Sequence, residues 1–137
     1  MIKMKSLMVI LLSTTLFACN SGSKSAGTTG DSGSGSPKET VTQYYTLIAG
    51  GKAAEAYAMG TKQLQKELDS YGGAAELTKP TRDETKHGGR IGFSVTKEEI
   101  KGDRAVVIVR INVKDGFGWS KDEQLVKENG TWKIAAR

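Results

Sequence analysis

Cysteine occurs once in the 137 residues, histidine once and proline twice. The single cysteine, Cys19, has no partner in the chain, so no internal disulfide can staple the fold. The same scarcity removes the clustered thiolates and imidazoles from which most zinc sites are built. His87 stands alone in TKHGG, in a polar stretch and with no nucleophile beside it in sequence. In DETKH, Asp83 and His87 are four residues apart, but Pro80 and Gly88-Gly89 mark the segment as a loop rather than a helix. No metal and no cofactor is therefore expected. Glycine-rich phosphate loops are missing too, since Gly50-Gly51 and Gly72-Gly73 end helical patterns instead of opening them. Basic residues exceed acidic ones by five, yet the signs are interspersed, as in RDETK and KEEIKGDR. Without a basic stripe or an aromatic-plus-basic platform, nucleic acid is not an expected partner. No apolar run approaches the roughly 20 residues needed to span a bilayer as a helix.

What is present begins at the N-terminus. Lys3 and Lys5 precede an apolar stretch from Leu7 to Phe17, which is the pattern of a secretory signal over residues 1–18. Ordinary cleavage favours small residues at both −3 and −1; here Ala18 is small but Leu16 is not. With Cys19 next, LFAC resembles the bacterial lipobox. That resemblance implies cleavage after Ala18, with Leu16 and Ala18 read by the peptidase. It also implies that the Cys19 sulfur carries a diacylglyceryl thioether and its freed amine a further acyl chain such as palmitate. Two or more chains anchor a protein stably, whereas one does so only marginally. The expected address is then the bacterial cell envelope, held to the membrane through Cys19. Asn20, where inner-membrane retention commonly uses Asp, points to the outer membrane in a Gram-negative host.

Residues 20–36 contain five Gly and six Ser, a composition that cannot bury a core. Residues 19–36 are read as the lipidated cysteine and its tether, spanning about 23 Å as a Gly/Ser coil. Residues 37–137 form the domain. Ser36-Pro37-Lys38-Glu39 combines an N-cap, a first-turn proline and a capping box. Val41, Tyr44, Tyr45 and Ile48 then recur at helical spacing, and Gly50-Gly51 ends the helix. KAAEAYAM predicts a second helix using Ala53, Ala54, Tyr57 and Ala58 against the first. TKQLQKELDSY predicts a third, with Leu64, Leu68 and Tyr71 on one face and a further turn over 74–77. TKPTRDETKHGG reads as a connection. After it the period changes to two. Ile91, Phe93 and Val95 share one side of a first strand. Ala105, Val107, Val109, Ile111 and Val113 make one apolar face of a second. GWSKDEQLVKE and TWKIAAR are two more strands joined by the turn ENG, with Trp132 and Ile134 in the core. Helices followed by a four-strand meander predict an α+β fold with the helices on one face of a curved antiparallel sheet.

The opening SPKETVTQYYTLIAGGKAAEAYAM and the closing IKGDRAVVIVRINV and EQLVKENGTWKIAAR resemble nuclear transport factor 2-like domains. The likeness extends to small bacterial lipoproteins of unknown function that carry this domain. It implies a cone, with a pocket at its open end and dimerisation of relatives through the outer sheet face, where this chain offers Val106 and Ile108. Isomerases, dehydratases and cyclases on this fold use an inward carboxylate or histidine with a Tyr donor. Tyr44 or Tyr45 matches the position of that donor. No acid can sit on the inner face of the second strand, and Asp122 and Glu123, in SKDEQ, read as solvated surface. Tyr44, Tyr45, Tyr57 and Trp119 are the candidate pocket residues, and no catalytic residue is assigned. The leading expectation is a non-catalytic binding module for a small ligand or an envelope partner. An isomerase-type enzyme and a purely structural envelope component stay open beside it.

Overall fold

A computed structural model describes residues 35–137. The signal segment, Cys19 and most of the tether lie outside the described residues. Helix α1, Pro37–Ala49, begins as its capping box dictates. The Ser36 hydroxyl accepts the Glu39 backbone N–H at 3.2 Å, and the Glu39 carboxylate accepts the Ser36 N–H at 2.8 Å. Two of the helix's orphan donors are thereby satisfied. α2, Ala53–Ala58, and α3, Lys62–Tyr71, follow, then a 3-10 turn over Gly73–Thr78 that packs on both. Thr61 caps α3 and is itself buried. Its backbone N–H donates to the Ile134 carbonyl at 2.8 Å, and the Ile134 N–H donates to the Met59 carbonyl at 3.0 Å. The α2–α3 corner is thus tied to the last strand through the backbone.

The sheet comprises β1, Arg90–Lys101; β2, Arg104–Val113; β3, Gly118–Glu128; and β4, Thr131–Ile134. It is antiparallel in the order β1-β2-β3-β4, a meander with the helices on one face. The β3–β4 turn carries Asn129 at φ 50° and Gly130 at φ 79°. Positive φ at both central positions matches the right-handed strand twist and suits Asn-Gly. At Gly118 a Cβ would stand 2.7 Å from the Ile111 carbonyl, so the start of β3 approaches β2 too closely for any other residue. The expected inner face of β2 is buried along its length, from Ala105 to Val113. It meets Val41, Tyr44 and Tyr45 of α1, Ala56 of α2, Leu125 of β3, and Trp132 and Ile134 of β4. This α+β architecture is the predicted one.

Four local expectations are corrected. The connection before β1 contains a short helix, α4, Arg82–Lys86, started by a second capping box in which Thr81 and Glu84 exchange hydrogen bonds. Ile91 does not share the inward side with Phe93 and Val95. β1 pairs Arg90 with Val113 and Gly92 with Asn112, so Ile91 is the extra residue of a bulge and is exposed. In α2 the buried alanine is Ala56, while Ala54 and Ala58 face outward. Tyr71, the last residue of α3, is exposed rather than packed.

Buried Leu125 and outward Val106 give a direct check on which sheet face holds the core. Leu125→Ala should destabilise the protein by about 2–5 kcal/mol in denaturant unfolding. Val106→Ala should cost less than about 1 kcal/mol. Equal losses would contradict the inner and outer assignment.

Candidate functional site

The inward residues of β3 alternate as Trp119, Lys121, Glu123 and Leu125, and the register sets them opposite Ile111, Val109, Val107 and Ala105 of β2. Glu123 is consequently 5% exposed, inside the apolar core. This corrects the solvated-surface expectation for SKDEQ. A lone buried carboxylate is costly, and the structure supplies its partners. The Tyr45 hydroxyl donates to Glu123 Oε1 at 2.6 Å. The Lys121 ammonium lies 2.7 Å from the same oxygen and 3.2 Å from the Tyr45 hydroxyl. Lys121 and Arg90 also stand over the Tyr45 ring, at 5.8 and 5.7 Å from its centroid. Arg90 in turn pairs with buried Glu84 of α4. Tyr44 and Phe93 close the ring's surroundings at centroid distances of 5.6 and 5.3 Å.

Burial pushes the Tyr45 hydroxyl pKa far above its ordinary value, and the Glu123 charge adds to the rise. Tyr44 is raised for the same reasons in the same order. Tyr45 therefore remains a neutral donor whose proton is committed to Glu123. An acid and a tyrosine do meet in this interior, as an isomerase would require, but they meet each other. No gap separates them in which a substrate atom could sit.

A second constellation lies at the end of the sheet where β2 turns into β3. His87 Nδ1 is 2.6 Å from Asp115 Oδ2, and the imidazole stacks on Phe117 with centroids 4.4 Å apart. Phe117 lies 6.4 Å from Trp119. The hydrogen bond from His87 and one from the Phe117 N–H hold the Asp115 carboxyl below its ordinary pKa. The Asp83 carboxylate does not join the His87 imidazole, although α4 makes the segment helical and the His87 N–H donates to the Asp83 carbonyl at 3.1 Å. Among the described residues no group of three or more His, Cys, Asp or Glu is placed to hold a metal.

Of the candidate pocket residues, Tyr44 and Tyr45 are buried together, whereas Tyr57 lies apart and donates to Asp69 at 2.9 Å. That bond raises the Tyr57 pKa. Trp119 lines an open groove of about 800 Å³ along the edge of β3. The groove exists because β4 is short. It covers β3 only from Leu125 to Glu128, and the chain end then runs on beside the strand. The Ala135 N–H donates to the Gln124 carbonyl at 2.8 Å, and the Arg137 guanidinium to the Asp122 carbonyl at 2.9 Å. Lys121, Asp122, Arg104 and Arg137 add three cations and one acid to the lining, while Tyr45 and Glu123 take no part in it. The groove thus lies outside the polar interior, with Lys121 belonging to both.

Sequence reasoning missed Glu123 and the His87–Asp115 contact. A signal for the first was present: Glu123 is two residues from Leu125, on the same side of a strand. Nothing local signals the second, whose partners are 28 residues apart.

Solved structures share this fold, among them the following two. A nuclear transport factor 2-like (NTF2-like) transpeptidase candidate from Campylobacter jejuni matches with a TM-score of 0.52 at 16% identity, over 75% of this chain and 100% of that one. A SEC-C motif containing protein from Rhodopseudomonas palustris matches with a TM-score of 0.51 at 16% identity, over 74% and 76%. No protein-family model and no curated protein matches the sequence. At such identities the likeness shows the fold, which is nuclear transport factor 2-like, and leaves activity to be argued from this chain's own residues.

The raised tyrosines fix the sign of an alkaline response. Above pH 10, their ordinary value, the unfolded chain loses phenolic protons that the folded chain keeps, so stability falls as pH rises. Each such group contributes a slope of up to about 1.4 kcal/mol per pH unit. Tyr45→Phe should remove one contribution from the slope of unfolding free energy above pH 10. An unchanged slope would contradict a buried neutral Tyr45.

Proposed function

We propose that the chain is an envelope lipoprotein, anchored through Cys19, whose domain is a non-catalytic binding module. The observation that carries the second half is the contrast between the two sites. The interior acid, Glu123, is engaged by Tyr45 and Lys121, whereas the groove beside β3 is open and lined by Trp119, Lys121, Arg104 and Arg137. An aromatic wall with an excess of cations suits a small anionic ligand, or an acidic segment of an envelope partner. The anchor rests on the lipobox resemblance of LFAC. A second reading, an isomerase-type enzyme, draws on the 2.6 Å Tyr45–Glu123 contact. It requires the pair to separate around a substrate, and any turnover should then vanish in Glu123→Gln.

In cells fed labelled palmitate, the wild-type chain should take up label and Cys19→Ala should not; an unlabelled wild type contradicts the anchor. Native mass spectrometry of protein from its own host's envelope tests the groove. A retained anionic molecule, lost in Trp119→Ala with Arg104→Glu, is the expected result. A ligand that survives both substitutions, or none in the wild type together with no recovered envelope partner, contradicts the binding module.

A further inference from the structure

We propose that the end of the domain bearing Ile91 and Phe117 rests on an anionic lipid surface, with those two side chains set into the headgroup layer. Among the described residues, four large hydrophobic side chains are more than half exposed: Tyr71, Ile91, Ile100 and Phe117. Ile91 and Phe117 occur at the same end of the sheet. Ile91 directly follows Arg90, whose partner Val113 opens the turn that carries Phe117. Neither is exposed through loose chain. The bulge in β1 turns Ile91 out, leaving it 68% exposed and outside the hydrophobic side chains packed on the core. Phe117 is held from three sides. Its N–H donates to Asp115 Oδ1 at 2.9 Å, its carbonyl accepts from the Val113 N–H at 3.3 Å, and its ring stacks on His87.

Charge selects the partner. At this end Glu84 is paired with Arg90, and Asp115 is hydrogen-bonded to His87. Lys86, Arg110 and Lys114 are exposed and have no acidic partner within ion-pair distance among the described residues, against two exposed acids, Asp83 and Asp115. The Lys114 stem lies against Gly88, where an added Cβ would stand 3.2 Å from the Lys114 Cβ, so this cation is placed beside the apolar tip. Two apolar side chains are too small a patch for a stable protein interface, which takes about 800 Å² from each partner. A bilayer surface needs no matching shape. It accepts apolar side chains between headgroups and attracts cations to anionic lipid. Docking by so few groups is weak alone, and it rests on the proposed Cys19 anchor to hold the domain nearby. It does not depend on whether the β3 groove binds a ligand.

The test uses the full chain reconstituted in vesicles whose acyl chains carry bromine, which quenches nearby tryptophan. Trp119 lies 6.4 Å from Phe117, whereas Trp132 is buried in the core. The vesicles contain phosphatidylcholine alone or with phosphatidylglycerol. Whatever residues 1–34 contribute is common to wild type and variants. Quenching of the wild type should be strong only with phosphatidylglycerol and should weaken with salt. Ile91→Ser with Phe117→Ser should abolish it. Lys86→Glu with Lys114→Glu, which changes only exposed side chains and so guards against misfolding, should weaken docking by at least about fivefold per cation. Absence of wild-type quenching would overturn the proposal and leave the tip to a protein partner. So would quenching indifferent to phosphatidylglycerol, or equal in wild type and both double variants.

Discussion

Glu123 remains inside the core only because Tyr45 reaches it from the opposite layer. The hydroxyl–carboxylate contact of 2.6 Å joins the middle of α1 to the middle of β3, and Lys121 supplies the compensating charge from the rim. A buried charge left without partners costs far more than the paired arrangement returns, so the contact acts chiefly as a constraint. It sets which turn of α1 faces β3, and it demands that β3 present its odd-numbered residues inward. The same requirement brings Leu125 under Ala105 and Trp119 toward the sheet end. Arg90, over the other part of the Tyr45 ring, extends the arrangement to Glu84 and so holds α4 against the sheet. A single polar chain thus links α4, β1, α1 and β3.

Much of this was legible in the sequence wherever the determining interaction is local. The capping box at Ser36 and the helical spacing of Val41, Tyr44, Tyr45 and Ile48 specify α1 without reference to the rest of the chain. The alternation from Ala105 to Val113 specifies β2, and Asn129-Gly130 specifies the last hairpin. What escaped depends on register. The charged neighbours of Glu123 outweigh its own alternation until β3 is aligned on β2. Ile91 follows the strand pattern, and only an inserted bulge reverses it. α4 hides between Pro80 and Gly88-Gly89, although Thr81 and Glu84 form a capping box that could have been read. The His87–Asp115 contact joins two segments that only the β1–β2 pairing brings together.

The nuclear transport factor 2-like fold is a scaffold on which unrelated activities occur, so function has to be argued from sites. Here the polar interior is internally satisfied, with no buried side-chain nitrogen or oxygen lacking a partner among the described residues. The open features lie around it: a cationic groove with an aromatic wall along β3, and an apolar, cationic tip at the β2–β3 turn. Both fit the proposed lipid anchor at Cys19, the chain's single cysteine. Groove and tip meet near Trp119, which would place a ligand taken from the groove close to the bilayer surface.

The Tyr45–Glu123 contact is the constraint on which the packing of α1 against β3 depends, and a double-mutant cycle in denaturant unfolding tests it most directly. Tyr45→Phe, Glu123→Leu and the double variant should show a coupling of about 1.5–3 kcal/mol, the range for a hydrogen bond to a charged group. Additivity within about 0.5 kcal/mol, the behaviour of independent sites, would contradict it.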